Sequence, residues 1–564
     1  MIQELVEFGK RVTNGMNRAL KEEFFSIVLV IDEHGAFQRF IVGDKQPIMA
    51  ETITAKKGKA RFLLDKCEEV LDVGKENSHK KHQLFINKLQ LYQSVPILEP
   101  VLKFYGENKK NGAEKAKEDF KKLDAKSQTS NITFMVGTTL LLNTEEIKIA
   151  IIKRFEEEEQ KRFNGKTCSI CGTSTIPVLD EPHGMVKMPK GQTAGCALVS
   201  YNETAFESYG LKGNLNSSIC RECARNYIEG LNFLLSDGYV VEGKKNHFHY
   251  NHRVKISDTT LALFWTKEET KEMNPFIIYN EPNEAEIRNL FESVWNGDSK
   301  IGTVVDSNMF YSCTLSSAAA RIAVRDWTAI SLDDYKRNLA DWFHDIEIED
   351  NNGKLTYNPL GLLINATQRD KNFGERSKSD MNSKARIGSI LWNAAIKGRL
   401  YKIPIEILQY VLNRICMGDE FTKHRAAVIR LIINRNTDKN MNSSLDETNR
   451  SIAYLCGRLF AIIESMQWKA IGKVNSGVKE RYFTAAVSQP GYILATLLTK
   501  NVPIYQHKIG GYLAKELNEI AGIISEKGSF PQRFSSIEQG EFALGYYFQR
   551  THKNNNEKSE NTNV

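Results

Sequence analysis

The 564-residue chain has no apolar run of the ~18 or more residues that a membrane-crossing helix needs. It lacks a G-x-S-x-G elbow and an H-E-x-x-H helix, and its many carboxylates show no metal-nuclease spacing. A phosphate-binding loop is begun but not completed. Gly165-Lys166-Thr167 would close one, yet Gln160 in an acidic helix stands where the opening glycine belongs, and no strand precedes it. No repeat of solenoid period occurs. These gaps argue against an ATPase and the familiar hydrolases, and nothing in the pattern asks for catalysis. The opening "MIQELVEFGKRV" is charged throughout and reads as an amphipathic helix, not a secretory signal, so a cytoplasmic location is expected.

The net charge of +7 is modest for the length, but it is uneven. Between Lys384 and Arg435 there are ten Lys or Arg against three Asp or Glu, and between Lys75 and Lys126 twelve Lys against seven acids. One such run is commonly a solvated helix face, whereas two in one chain favour a polyanionic partner.

The first 330 or so residues mix strand and helix patterns. "FSIVLVIDEHGAFQRFIVG" predicts a hairpin about Glu33-His34-Gly35, residues 62–71 and 83–104 read as helical, and a charged helix is expected from Glu145 to Phe163. "CALVSYN", "TLALFWT" (260–266) and "RIAVRDWT" (321–328) read as strands. From about Asp334 the pattern turns helical. Pro404 opens a stripe of Ile405, Leu408, Leu412 and Ile415, while Ser444 and Glu447 have capping-box spacing ahead of Ile452, Leu455, Leu459, Ile462 and Ile463. Leu513, Leu517, Ile520 and Ile524 form a further stripe, and the polar tail from about 553 is expected to lack order.

Of nine cysteines, Cys67, Cys196, Cys313, Cys416 and Cys456 are isolated and read as small core residues. Cys168 and Cys171, and Cys220 and Cys223, form two C-x-x-C pairs. Two such knuckles complete a tetrahedral zinc site, and four thiolates leave no open position, so the expected zinc is structural. The spacing is unusual, with 48 residues between the pairs. That insert carries Gly184, Gly191 and Gly195 beside Lys187 and Lys190, which suits either a plain connection or close approach to phosphates. In "HFHYNH", His247, His249 and His252 have no carboxylate or cysteine at ligand spacing, so a polar hairpin is the better reading.

The stretch "GQTAGCALVSYNETAFESYG" followed by "GNLNSSICRECARNYIEGLNFLL" resembles the type I-C CRISPR Cascade large subunit, the Csd-type family. "IDEHGAF", "KGKARFLLDKCEEVLDVG", "ISDTTLALFW", "SSAAARIAVRDW", "KERYFTAAVSQPGYIL" and "SSIEQGEFALGYYFQR" continue the likeness in the family's order. The resemblance implies a non-catalytic subunit at the 5′-handle end of a crRNA. Such a subunit reads a short PAM in double-stranded DNA, helps part the strands and guides the displaced strand, while the guide supplies the remaining specificity. Implied partners are the crRNA, target duplex, Cascade backbone and 5′-handle subunits, a small subunit and the helicase–nuclease effector. The family also makes a small subunit from an internal start, for which Met441 is the candidate here and Met417 the runner-up. Zinc is not required by the family's fold, so the cysteines of this chain carry that case alone. Where the family commonly has Asp-Asn this chain has Asp65-Lys66, so its PAM is not carried over.

The resulting expectation is an α+β N-terminal region (1–333) with a four-cysteine zinc site clasping the insert 168–223. A basic helical region (334–440) and a C-terminal helical bundle (441–564) follow. PAM-proximal contacts are expected from Lys56, Lys57, Lys59, Lys66, Lys190, Gln192 and Asn202. Backbone contacts are expected from Lys384, Arg386, Lys397, Arg399, Arg425 and Arg430. The competing expectation is a zinc-ribbon DNA-processing enzyme or nuclease subunit.

Overall fold

The β-rich runs around Glu33-His34-Gly35 form the expected antiparallel hairpin, β1 (Leu20–Ile31) with β2 (Phe37–Glu51), in the computed structural model of the chain. The structure describes all residues except 14–16, 18, 54–59, 75–76, 124–126, 162–164, 175, 180–181, 241–247, 270–281, 296–307, 370–377, 473, 510 and 563–564. Gly35 turns the hairpin at φ +78°, and a Cβ there would lie 2.6 Å from the Phe104 nitrogen, so this position needs glycine twice over.

Two compact units emerge: Met1–Val186 with Ala197–Asn232, and Lys187–Cys196 with Phe233–Val564. In the first, β3 (Leu64–Lys66), β4 (Asn131–Val136) and β5 (Thr139–Leu140) join the hairpin in the order β2-β1-β4-β3, with β5 on β4. Phe62, Phe85, Phe104, Phe134 and Ile147 share the core with Leu29 and Ile31. The helix expected over 62–71 is instead the edge strand β3 followed by one helical turn, Cys67–Val70. Leu63 has φ +56°, which no right-handed helix contains. The buried Asp65 carboxylate accepts from the Arg61 and Lys66 backbone nitrogens at 3.1 and 3.0 Å, taking the place of helical partners.

The second unit begins with a short pair, β6 (Gly238–Val240) and β7 (Phe248–Tyr250). It continues as an antiparallel sheet of β8 (Arg253–Lys255), β9 (Thr260–Thr266), β10 (Met309–Ala318) and β11 (Arg321–Ser331), ordered β11-β10-β9-β8. Strands were expected at β9 and β11, whereas "CALVSYN" forms none. Helices Leu332–Ile346 and Lys378–Lys397 cover this sheet. Phe310 stacks on Tyr335 at 3.8 Å, and the Trp392 indole donates to the Ser312 hydroxyl at 3.1 Å. Val254, Ile256, Phe264, Ile287, Leu290 and Phe310 therefore share one core with the helical remainder of the chain.

That remainder includes helices Ile405–Cys416, Lys423–Asn436, Ile452–Ile471, Gly511–Glu526 and Ser536–Thr562. The buried residues of Gly511–Glu526 are Leu513, Leu517, Ile520 and Ile524, the stripe read from the sequence. Ser444 and Glu447 cap nothing, because the helix starts at Ile452 with Ser451 as its N-cap. The last helix runs into the tail from 553 that was expected to lack order. It crosses Ile452–Ile471 with backbones touching, since a Cβ on Gly457 would lie 2.0 Å from the Phe542 carbonyl oxygen.

Lys423–Asn436 is buried at every position from Arg425 to Arg435. Arg435 Nε donates to Asp345 Oδ2 at 2.6 Å, with neither side chain exposed. Burial alone would raise the Asp345 carboxyl, but hydrogen bonding with His344 and the charges of Arg435 and Arg399 hold it below the usual range. Breaking a buried pair strands the surviving charge, at a cost of about 3–5 kcal/mol. Asp345→Ala is expected to lower the melting temperature markedly in calorimetry; an unchanged transition would mean the pair contributes nothing net.

Candidate metal centre and nucleic-acid surface

The two C-x-x-C pairs converge in the first unit. The first follows the helix Glu145–Lys161, and the second opens the helix Arg221–Ser236. All four sulfurs lie within 4.8 Å of one another, and Cys171 and Cys220 Sγ are 3.9 Å apart. Tetrahedral zinc–thiolate bonds of ~2.3 Å place their sulfurs about 3.8 Å apart, so the cluster fits such an ion. Cys168 Sγ lies 3.5 Å from the Ile170 backbone nitrogen and 3.3 Å from that of Cys220, the N–H···S contacts that support a ligating thiolate. Gly172 at φ +71° turns the first knuckle, and Ser169 N donates to Ser218 O at 2.7 Å across the two.

Hydrogen bonding from Cys223 pulls the Cys220 thiol down to about 5 even against burial, while Cys223 is pushed up by the same contact. Beside the cluster, Arg221 Nε meets Glu159 Oε1 at 2.9 Å, and both side chains are largely buried. This pair was not anticipated. Its signal was the helical period, because Ile147, Ile151 and Glu159 share one buried face and the last of the four consecutive acids extends that stripe.

In the second unit the glycine-bearing loop Lys187–Cys196 is held on a hairpin. The Ser317 hydroxyl donates to Pro189 O at 2.9 Å, and Cys196 Sγ lies 3.3 Å from Ala319 O. Lys190 and Gln192 are exposed on this loop, and Lys187 Nζ donates to Thr193 O at 2.7 Å. The chemistry available is a fixed backbone carrying ammonium groups.

A family model described as CRISPR-associated protein (Cas_Csd1) matches residues 6–553. The chain belongs to this CRISPR-associated family. It is the family that the sequence resembles, and the match runs through both units. No curated protein matches the chain.

Within this Csd1-family chain the expected nucleic-acid residues fall apart. Lys66 is exposed at the end of edge strand β3, and Asn202 is exposed in the first unit. Lys190, Gln192 and Lys384 lie in the second unit, where Arg386 is exposed. Lys397 meets Asp326 at 3.1 Å, and Arg399 meets Asp341 at 3.2 Å. Lys56, Lys57 and Lys59 lie outside the described residues, as does His247. Arg425 and Arg430 are corrections, each only 2% exposed. Arg425 donates to the Ala366 and Gln368 carbonyls at 3.1 Å, and Arg430 to those of Met441 at 2.7 Å and Glu347 at 3.2 Å. Their donors are spent inside the core. His252 Nε2 lies 3.4 Å from Asp237, in keeping with a polar hairpin.

The cysteine geometry predicts about one divalent metal ion per chain in elemental analysis of protein purified without chelator. Cys220→Ser is expected to lose it and to lower the melting temperature. Metal-free wild-type protein with an unchanged melt after chelation would remove the site.

Proposed function

We propose that this chain is the large subunit of a type I-C crRNA-guided Cascade complex, with structural zinc on Cys168, Cys171, Cys220 and Cys223. The family match over residues 6–553 carries the reading. In it, the chain acts in the cytoplasm without catalysing bond cleavage. It binds the PAM in double-stranded DNA, aids strand separation and recruits the helicase–nuclease. Guide RNA pairing then supplies the remaining specificity. The crRNA, the backbone and 5′-handle subunits and a small subunit are its partners.

The exposed Lys66 supports a DNA contact from the first unit. It ends an edge strand whose neighbour Asp65 is locked by two backbone hydrogen bonds, so the lysine extends from a rigid base. A lysine there offers only donors, which suits guanine O6 and N7 or phosphate oxygens.

Internal initiation at Met441 would supply the small subunit. Met441 is buried and its nitrogen donates to Asn434 Oδ1 at 2.9 Å. A product starting there keeps the crossing of Ile452–Ile471 with the last helix. It loses Leu408, Ile429 and Ile433, which pack at Gly540, so that face needs a new cover in the complex.

Assembled complex, offered duplexes with a randomised flank, is expected to enrich one short motif. Lys66→Ala is expected to weaken binding of that duplex by about 1–3 kcal/mol, the range of one base-edge contact. Unchanged affinity and motif preference would remove Lys66, and enrichment of no motif would overturn the PAM reading.

A further inference from the structure

Three turns of the second unit are tied together by hydrogen bonds. In the β8–β9 turn, the Ile256 and Ser257 nitrogens donate to Thr260 O at 3.1 and 3.0 Å. Thr259 O in turn accepts from Ser317 N at 2.9 Å, fixing this turn against the end of β10. The Ser317 hydroxyl reaches on to Pro189 O, which brings in the loop Lys187–Cys196. Helix Lys378–Lys397 closes the group. A Cβ on its Gly388 would lie 2.5 Å from Ile256 Cγ2, so its backbone runs against the turn and carries Lys384, one helical turn earlier, toward it.

Three of these segments, the β8–β9 turn, the loop and the helix, each bring a lysine to this place. Lys255 Nζ lies 2.8 Å from Asp258 Oδ1, with both side chains more than half exposed. The Lys255 hydrogen bond and charge hold the Asp258 carboxyl below its usual range, and Lys190 and Lys384 act on it in the same direction. Lys190 itself has φ +57°, a conformation that L side chains rarely adopt and that its surroundings must impose. Three lysines from three separate segments therefore gather about one acid. No aromatic residue occurs in 187–196, 256–259 or 318–320, so these turns offer no platform on which an unstacked base could lie. Point charges on a hydrogen-bonded backbone suit phosphates spaced along a duplex.

We propose that Lys190, Lys255 and Lys384 form one sequence-independent site for the phosphate backbone of duplex nucleic acid. The proposal takes its class of partner from the function above but does not depend on PAM reading or on Lys66. Asp258 places the ammonium groups and also competes with the phosphate for them.

The test uses the full chain, a labelled duplex of arbitrary sequence and fluorescence anisotropy over a KCl series. Each phosphate contact contributes roughly 0.9 to the slope of log K against log salt. The combined Lys190→Gln, Lys255→Gln and Lys384→Gln variant is expected to flatten the slope by about 2–3, and the exposed Lys255→Gln alone by about 0.9. Asp258→Asn is expected to tighten binding several-fold, an outcome that misfolding would not produce. An unchanged slope in Lys255→Gln, or a preference for single strand over duplex, would overturn the proposal. A flattened slope together with no motif enrichment by the assembled complex would keep this site and discard the PAM reading.

Discussion

Guanidinium groups inside the core organise the second unit. Arg425 and Arg430 reach from a helix buried on all sides to carbonyls near the C-terminal ends of two others, Leu360–Ala366 and Leu332–Ile346. Helix C-termini leave carbonyls without intrahelical partners, and a buried one must be satisfied or costs free energy. An arginine offers five donors in a fixed fork, so one side chain can close several such ends at once. The charge is tolerable because every bond it makes is charge-assisted and because helix C-termini carry partial negative charge. Arg435 follows a different rule, pairing with Asp345 where neither meets water. Together these contacts fix the central helix against its neighbours more specifically than apolar packing could, since each bond demands one rotamer and one register.

The same contacts show why part of the nucleic-acid reading was misled. A count of ten cations against three acids between Lys384 and Arg435 treats every cation as available. Arg425, Arg430 and Arg435 are core, while Lys397 and Arg399 are engaged by Asp326 and Asp341, which lie before residue 384. A local sum cannot see partners brought in by tertiary structure. The warning was nonetheless present in "RAAVIRLIINR", whose apolar residues occupy every helical face and leave no solvated side for the arginines. Helix stripes such as Leu513, Leu517, Ile520 and Ile524 were legible because period and burial coincide there. The edge strand at Leu64–Lys66 was not, because it exists only by pairing with Asn131, Ile132 and Thr133, far along the chain.

The four-cysteine cluster was legible for the opposite reason. A C-x-x-C knuckle is set by bonds within four residues, so its spacing survives translation into structure with little help from the rest of the fold. What the spacing left open was the use of the long gap. Both knuckles belong to the first unit, yet Lys187–Cys196, between them, belongs to the second. The chain thus leaves one unit and returns to it within the 48 residues that the cysteine pairs enclose.

That arrangement would give a metal ion held by the four cysteines a definite physical task. A metal ion bound there would cross-link the ends of a ~50-residue loop, which removes on the order of 4 kcal/mol of unfolded-state freedom in the chain-entropy model. The segment closes tight turns of its own, with Gly191 N donating to Met188 O at 3.1 Å and Gly195 N to Gln192 O at 2.8 Å, although "CALVSYN" forms no strand. Hydrogen bonds through Pro189 and Cys196 hold the far end of the excursion on the β10–β11 hairpin, while the four cysteines hold its entry and exit. Between Pro189 and Cys196, both held on that hairpin, the backbone sustains the strained φ of Lys190. The hairpin contacts therefore determine where the middle of the segment presents charge, while the two cysteine pairs mark its ends.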